Sequence, residues 1–428
     1  MKNGTEFHKL DNGLTIITRE IHHVPLISQW VWYRVGSRNE SSGKTGISHW
    51  VEHMQFKGTP KYPINKLDQA ISRDGGFWNA MTHLDWTTYF ETMPAHKIEI
   101  ALDLEADRMQ HSSFDAQEVE KERTVIISER EGNENEPMFQ LSEAVRNAAF
   151  KSHPYQHQVI GELDDLRSIT REDLYQHYQQ YYSPANAVIA ITGDFNTTTV
   201  VERLSDLYGQ IPDANINRNI PEHSVELPGA QRVEIEGPGE TIYLEINFYS
   251  PPAAEDDFFT LMVLDSMMTG PSSLALFGGG SISNKTSRLY RQLVEKELTV
   301  SISGGLQATI DPYLYNILAI LPPDQSTQEI IDRIDQEIEK IIESPVSQEE
   351  IDKSIKQAKA QFAYGSESIT NQAFWLGYAA MFADYTWFEN YIEKIERVTP
   401  ERIQSTAERF LGKENRVIGI FRPRKSGN

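Results

Sequence analysis

The chain of 428 residues contains no cysteine. Disulfides and thiolate metal sites are therefore excluded, and any zinc must be held by histidine and carboxylate. The absence of cysteine does not by itself fix a compartment. No run of about 18 apolar residues occurs, so no transmembrane helix is expected. Residues 1–8 carry no apolar h-region, so no secretory signal is expected and a cytoplasmic location is, a mature form already relieved of its targeting segment being the alternative. Positive charge is in deficit: 40 Lys and Arg stand against 62 Asp and Glu, a net charge of −22. That balance argues against nucleic acid and anionic membrane as partners. It favours a neutral or basic substrate. Surface acid in general reads as solubility, and only acid lining a cavity bears on function.

What the chain does hold is a hydrophobic fraction of 39%, enough for real cores. Its length suits two to four domains of ordinary size. One helical turn stands out: His49-Trp50-Val51-Glu52-His53. Histidines four apart on a helix put both imidazoles on one face. Glu52 borders the same face. Two neutral imidazoles with a carboxylate beside them form a divalent-metal site with a base attached. The spacing H-x-x-E-H is the inverzincin signature. Histidine pairs at this spacing also arise by chance on surface helices. A catalytic zinc needs a third protein ligand and one open position, and the chain offers a candidate downstream.

Read in order, residues 7–35 form a β-rich opening, with a turn signal at Asn12-Gly13. The metal helix follows at roughly 46–56 and a short helix at 64–73. Two adjacent strands are expected across residues 77–92, then an amphipathic helix at 95–111. Asp115 is placed to cap a long helix over about 116–133. Glu122 and Glu129 share a face of that helix, two turns apart. Val125 and Ile126 lie between them, and the neighbouring faces are expected to be buried. Residues 211–231 form the best linker candidate, interrupted by Pro212, Pro221 and Pro228. The second half repeats the first. Residues 169–191 align with 398–420 at a constant offset of 229, and Glu118-Val119-Glu120-Lys121 resembles Glu350-Ile351-Asp352-Lys353 at 232. At the latter offset Glu129 falls on Gln361 and Glu122 on Ser354, so only the first half keeps the acids. Two homologous α/β domains are expected, residues 1–215 with the metal site and 232–428 without it.

Taken together, His49-x-x-Glu52-His53, Phe56-Lys57-Gly58-Thr59, Gly75-Gly76-x-x-Asn79-Ala80-x-Thr82 and His153-Pro154-Tyr155 resemble the pitrilysin family of zinc metallopeptidases, which includes insulysin and the mitochondrial processing peptidase. The resemblance covers essentially the whole chain. It implies an α+β fold in which each domain is a mostly antiparallel sheet covered by helices, the pair forming one half of a clamshell. It implies that His49, His53 and Glu129 bind Zn2+, Glu129 standing about 76 residues past the second histidine as the family's third ligand does. Glu122 corresponds to a further glutamate near the metal, Glu52 to the general base, and Asn79 and Ala80 to the strand that pairs with substrate. For Asn79, a turn residue after Gly76 is the plainer alternative. The implied activity is hydrolysis of unfolded peptides inside a chamber of two subunits.

The resemblance also marks a gap. Active relatives carry an arginine and, seven residues later, a tyrosine in the half without metal. Counting from Ser287-Arg288-Leu289-Tyr290, those positions fall on Val294 and on Val300 or Ser301. Valine donates no hydrogen bond. Arg291 lies one turn earlier, and no tyrosine follows until Tyr313. The expected assembly is a heterodimer with a paralogous subunit that carries the Arg/Tyr pair, a homodimer being the other possibility. A catalytically inactive structural subunit of the same fold is the alternative function. The stretch Phe277-Gly278-Gly279-Gly280-Ser281 lacks the G-K-[ST] of a phosphate loop, and reads as a loop at a chamber mouth or an ordinary surface loop.

Overall fold

The structure, a computed structural model, describes residues 4–212, 229–271 and 284–424; the glycine-rich stretch at 277–281 and most of the linker candidate lie outside them. The chain forms two compact units. One comprises Met1–Glu131, His157–Glu222 and Ser366–Glu389, the other Gly132–Gln156, His223–Gly365 and Asn390–Asn428.

The first unit is built on six strands: β1 (Thr5–Lys9), β2 (Thr15–Glu20), β3 (Leu26–Tyr33), β4 (Phe77–Thr82), β5 (Thr87–Pro94) and β6 (Ala187–Gly193). Their order is β1-β2-β6-β3-β5-β4, which leaves β4 at an edge. Only β2 and β6 run parallel; every other pair is antiparallel. The expected turn at Asn12-Gly13 links β1 to β2, with Gly13 at φ +90°. Strand β3 alternates two buried faces, as a central strand must. Trp30 and Trp32 are buried on one face; on the other, Gln29 donates to the carbonyl of Ala101.

Four helices build and support the metal centre: α1 (Ile47–Met54), α2 (Ile64–Ser72), α3 (Ile98–His111) and α4 (Ala116–Asn133). Asp115 caps α4 as expected, its carboxylate accepting from the amides of Gln117 and Glu118 at 2.9 and 3.2 Å. The burial expected along α4 holds for Ile126, which is fully buried. It fails for Val125, which is 49% exposed. A single-residue step on a helix turns a side chain by about 100°, enough to carry Val125 off the buried stripe.

The second unit repeats the plan with β7 (Gln231–Gly237), β8 (Ile242–Ser250), β9 (Ser301–Leu306), β10 (Tyr313–Leu321) and β11 (Arg416–Pro423), in the order β7-β11-β8-β10-β9. Again only one pair, β7 and β11, is parallel. The repeat seen in sequence is a repeat of elements. Shifted by 232 residues, α4 coincides with the helix Gln348–Gly365; shifted by 229, the helix Arg171–Tyr181 coincides with Pro400–Phe410. The fold is α+β, with two related halves each built on a mostly antiparallel sheet.

One pair of helices trades places. Helix α5 (Pro137–Ala149) follows α4 in sequence but packs on β11 and β7 of the second unit. Its counterpart Ile369–Phe382 comes from the second half of the chain and packs on β3 and β6 of the first.

Candidate metal centre

The site is built on α1. Gly46 precedes the helix at φ +85°, where a Cβ would stand 2.4 Å from the carbonyl oxygen of Ile160, so only glycine fits. The unpaired amides of the first turn need acceptors. Glu40 supplies them: its carboxylate accepts from the Gly46 amide at 2.8 Å and the Ser48 amide at 2.9 Å. The Ser48 hydroxyl donates to the carbonyl of Gly36 at 3.1 Å. Trp50, Val51 and Met54 are fully buried and fix the helix's roll. That roll leaves His49 and His53 on the opposite, half-buried face.

Helix α4 brings the acids. His49 Nε2 lies 4.0 Å from one Glu129 carboxylate oxygen and His53 Nε2 lies 3.8 Å from the other. One ligand atom from each of His49, His53 and Glu129 falls within 4.8 Å of the other two. This is the only such trio among the described residues. Glu122, two turns earlier, meets the far nitrogen of His53: Nδ1 to Oε1 is 2.8 Å. Its other oxygen pairs with Lys57. Glu52 is 8% exposed, and the Thr82 hydroxyl donates to its Oε2 at 2.5 Å. All five sequence-chosen residues of the metal centre therefore converge.

The electrostatics differ sharply between the two imidazoles. Burial, aided by the charge of His53, pushes the His49 pKa down to about 3, so His49 is neutral. Burial also opposes charge on His53, but the Glu122 hydrogen bond and the charges of Glu52, Glu122 and Glu129 outweigh it and raise its pKa. Burial works to raise Glu122, yet hydrogen bonds from His53 and Lys57 hold it below the usual range. Glu52 is raised, chiefly by burial and against the hydrogen bond from Thr82. A buried carboxylate with raised proton affinity is the property a general base needs.

These residues fit zinc. The donor set is two imidazoles and one carboxylate, which zinc accepts in open catalytic sites. The nitrogen–oxygen gaps of 3.8 and 4.0 Å are about half an ångström wider than the roughly 3.3 Å that two bonds of about 2 Å span at a tetrahedral angle, so the side chains would draw in by that much to hold the ion. The Glu122–His53 contact is the carboxylate–histidine pairing that orients a metal ligand. His49 has no such support: its Nδ1 is buried without a hydrogen-bond partner among the described residues.

Asn79 and Ala80 sit on the edge strand β4, beside α1. Asn79 is exposed, and its side-chain oxygen accepts from the Ala80 amide at 2.9 Å. Ala80 is buried. Sequence reasoning assigned no task to Thr82, Lys57 or Arg108. The first two stand inside the quoted motifs. The third was hidden because its partners are remote in sequence. The Arg108 guanidinium lies 4.7 Å from the ring of Tyr89, 5.5 Å from Phe56 and 5.6 Å from Trp78. It thereby ties Phe56, two residues past α1, to the edge strand at Trp78 and to its neighbour β5 at Tyr89.

A histidine pair, a remote glutamate and a buried second glutamate thus meet beside a sheet edge, and the first three could hold a metal ion. The chain belongs to peptidase family M16. Residues 15–162 match the family model described as Insulinase (Peptidase family M16), and residues 168–358 match Peptidase M16 inactive domain. Among relatives, it is 28% identical to the zinc protease PqqE of Helicobacter pylori, over 88% of this chain and 82% of that one. It is 25% identical to the zinc protease YmxG of Bacillus subtilis over 97% of both. It is 27% identical to a probable mitochondrial-processing peptidase subunit beta of Arabidopsis thaliana, over 75% of this chain and 60% of the relative. The crystal structure of a protease from Helicobacter pylori superposes with a TM-score of 0.89 at 25% identity, covering 98% of this chain and 99% of that one. No helix among the described residues is long and apolar enough to cross a membrane.

Proposed function

We propose that this chain is the zinc-bearing subunit of an endopeptidase that hydrolyses unfolded peptides within a chamber formed by two subunits. The observation that carries the reading is the convergence of His49, His53 and Glu129 within 4.8 Å, with buried Glu52 beside them. A zinc ion held by those three residues supplies an activated water and a Lewis acid for the scissile carbonyl. Glu52 accepts the proton of the attacking water and returns it to the leaving amine. Thr82 fixes the carboxylate that does so. Glu122 orients His53, and Lys57 keeps Glu122 ionised. Edge strand β4, at Asn79 and Ala80, pairs with an extended peptide through its backbone, which makes sequence preference loose. An acidic chain, at −22, favours basic peptides at low salt.

The partner is a paralogue. Val294, and Val300 or Ser301, stand where active relatives of the pitrilysin type have their arginine and tyrosine. Val300 is 64% exposed and neither valine donates a side-chain hydrogen bond. Arg288 is committed to Glu350 through two hydrogen bonds of 2.7 Å. A relative named as one subunit of a processing peptidase supports a paired arrangement. The deciding experiment assays zinc-loaded chain against an unstructured basic peptide, alone and mixed with a paralogue lacking H-x-x-E-H but retaining the arginine and tyrosine. Loss of one such donor costs about 10²–10³ in rate, so weak cleavage alone and recovery on mixing are expected. Full turnover by the isolated chain, undiminished in Arg291→Ala, would overturn the heterodimer and leave a homodimer.

A further inference from the structure

The two sheets carry their exchanged helices differently, and the difference opens a second site. In the first unit, Phe374 on the helix Ile369–Phe382 packs 5.3 Å from Trp30 and 5.4 Å from Trp32, ring centre to ring centre. Tyr378 lies 6.1 Å from Trp32. This face is a closed aromatic layer. In the second unit α5 lies chiefly over β11 and β7, one strand further toward the sheet's edge. Glycine placement explains the shift. A Cβ on Gly377 would stand 2.0 Å from Trp32 Nε1, so that helix needs glycine to clear the indole. The matching residue of α5, by the 232-residue offset, is Val145. The strand beneath it carries Gly419, where a Cβ would stand 2.4 Å from Val145 Cγ2. Helix α5 therefore sinks onto β11, and the face of β8, β10 and β9 stays open.

That open face is a cleft of about 300 Å³. Trp30, Trp32, Phe374 and Tyr378 each have a polar counterpart lining it. By strand register, Trp30 corresponds to Glu245 and Trp32 to Asn247. By the helix offset, Phe374 corresponds to Ser142 and Tyr378 to Arg146. Asn316 donates to Asn247 at 2.9 Å, and Asn247 donates to Glu245 at 3.2 Å. Glu245 is 6% exposed, and no cation pairs with it among the described residues. Burial raises its pKa. A buried carboxylate without a cation is costly, and a ligand that brings one relieves the cost.

We propose that this cleft binds a small zwitterion of the amino-acid or dipeptide class, its ammonium toward Glu245 and its carboxylate toward Arg146. Asn247, Asn316 and the backbone of Gly304 and Gly305 on edge strand β9 meet the polar atoms between. One acid and one guanidinium in a single cleft disfavour a simple anion, which meets Glu245, and a simple cation, which meets Arg146. The volume is at the lower end for small-molecule sites, which suits a ligand of this size. The inference stands apart from the peptidase reading, since no residue of the metal centre lines the cleft.

The test is calorimetric titration of the full chain with glycylglycine, N-acetylglycylglycine and glycylglycinamide. Saturable binding of glycylglycine is expected, with each end-blocked analogue weaker by at least about tenfold, because each lacks one of the two charges that the cleft receives. Glu245→Gln should weaken glycylglycine by a similar factor. Ser142→Phe, which installs the aromatic of the closed layer, should abolish binding while the thermal transition is retained. If Glu245→Gln fails to fold, the three ligands on the unmodified chain still decide. Absence of saturable glycylglycine binding, or equal binding of all three, overturns the proposal.

Discussion

One ancestral plan has been used twice in this chain, and the two halves differ most where chemistry is possible. Helix α4 presents Glu122 and Glu129 to the histidines of α1; its counterpart Gln348–Gly365 has Ser354 and Gln361 at those positions, both buried. The exchanged helices show the reverse distribution. The first unit closes the sheet face under its exchanged helix with Trp30, Trp32 and Phe374, while the second lines the corresponding face with Glu245, Asn247 and Ser142. The same backbone thus supports a polar site on opposite sides of the sheet. What selects the side is a handful of substitutions and two glycines.

The comparison breaks most severely when the proposed base is neutralised. Glu52→Gln should retain zinc, measured by metal analysis, and lower peptide turnover by about 10²–10⁴-fold. Near-normal cleavage would remove Glu52 from the mechanism. Next in size is the exchange that gives the first unit the residue of the second, Glu129→Gln. Metal analysis after dialysis against a weak chelator should show zinc lost, with affinity down by at least about a hundredfold. That is the upper end of what supporting residues alone contribute. Full retention would mean that Glu129 is not a ligand.

Glu122→Ser copies Ser354 in the same way. It removes the acceptor that orients His53, and zinc affinity should fall by about 10–100-fold with the fold intact. An unchanged affinity would reduce Glu122 to a surface partner of Lys57. The smallest effect belongs to the helix exchange. Gly377→Val imports the residue at Val145 and drives a side chain into Trp32, and should cost about 1–3 kcal/mol in a thermal or denaturant transition. A neutral result would show that the helix can slide outward over the first sheet as α5 has done over the second.

Much of this was legible in the chain itself. The histidine spacing, the carboxylate beside it and the cap at Asp115 are local patterns, set by helical geometry over a few residues. The internal repeat is a comparison of the sequence with itself, and its two offsets superpose α4 and the helix Arg171–Tyr181 on their counterparts. The approach of Glu129 to the histidines was read through family resemblance, since nothing local to either helix brings them together. Val125 went astray because one step along a helix separates a buried face from an open one. Composition excluded disulfides and thiolate ligands.

Other features were decided only by the tertiary structure. The exchange of α5 and Ile369–Phe382 between sheets leaves no local trace: α5 is amphipathic and Ile369–Phe382 is apolar nearly all round, yet neither pattern says which sheet receives the helix. The tie from Arg108 to Phe56, Trp78 and Tyr89 joins residues distant in sequence and depends on α3 packing on β3 and β5, next to the edge strand. The cleft at Glu245 required knowing that Gly419 lies beneath Val145. A sequence specifies which side chains exist and how they repeat; burial, pKa and cavity arise from which repeated surfaces are pressed together.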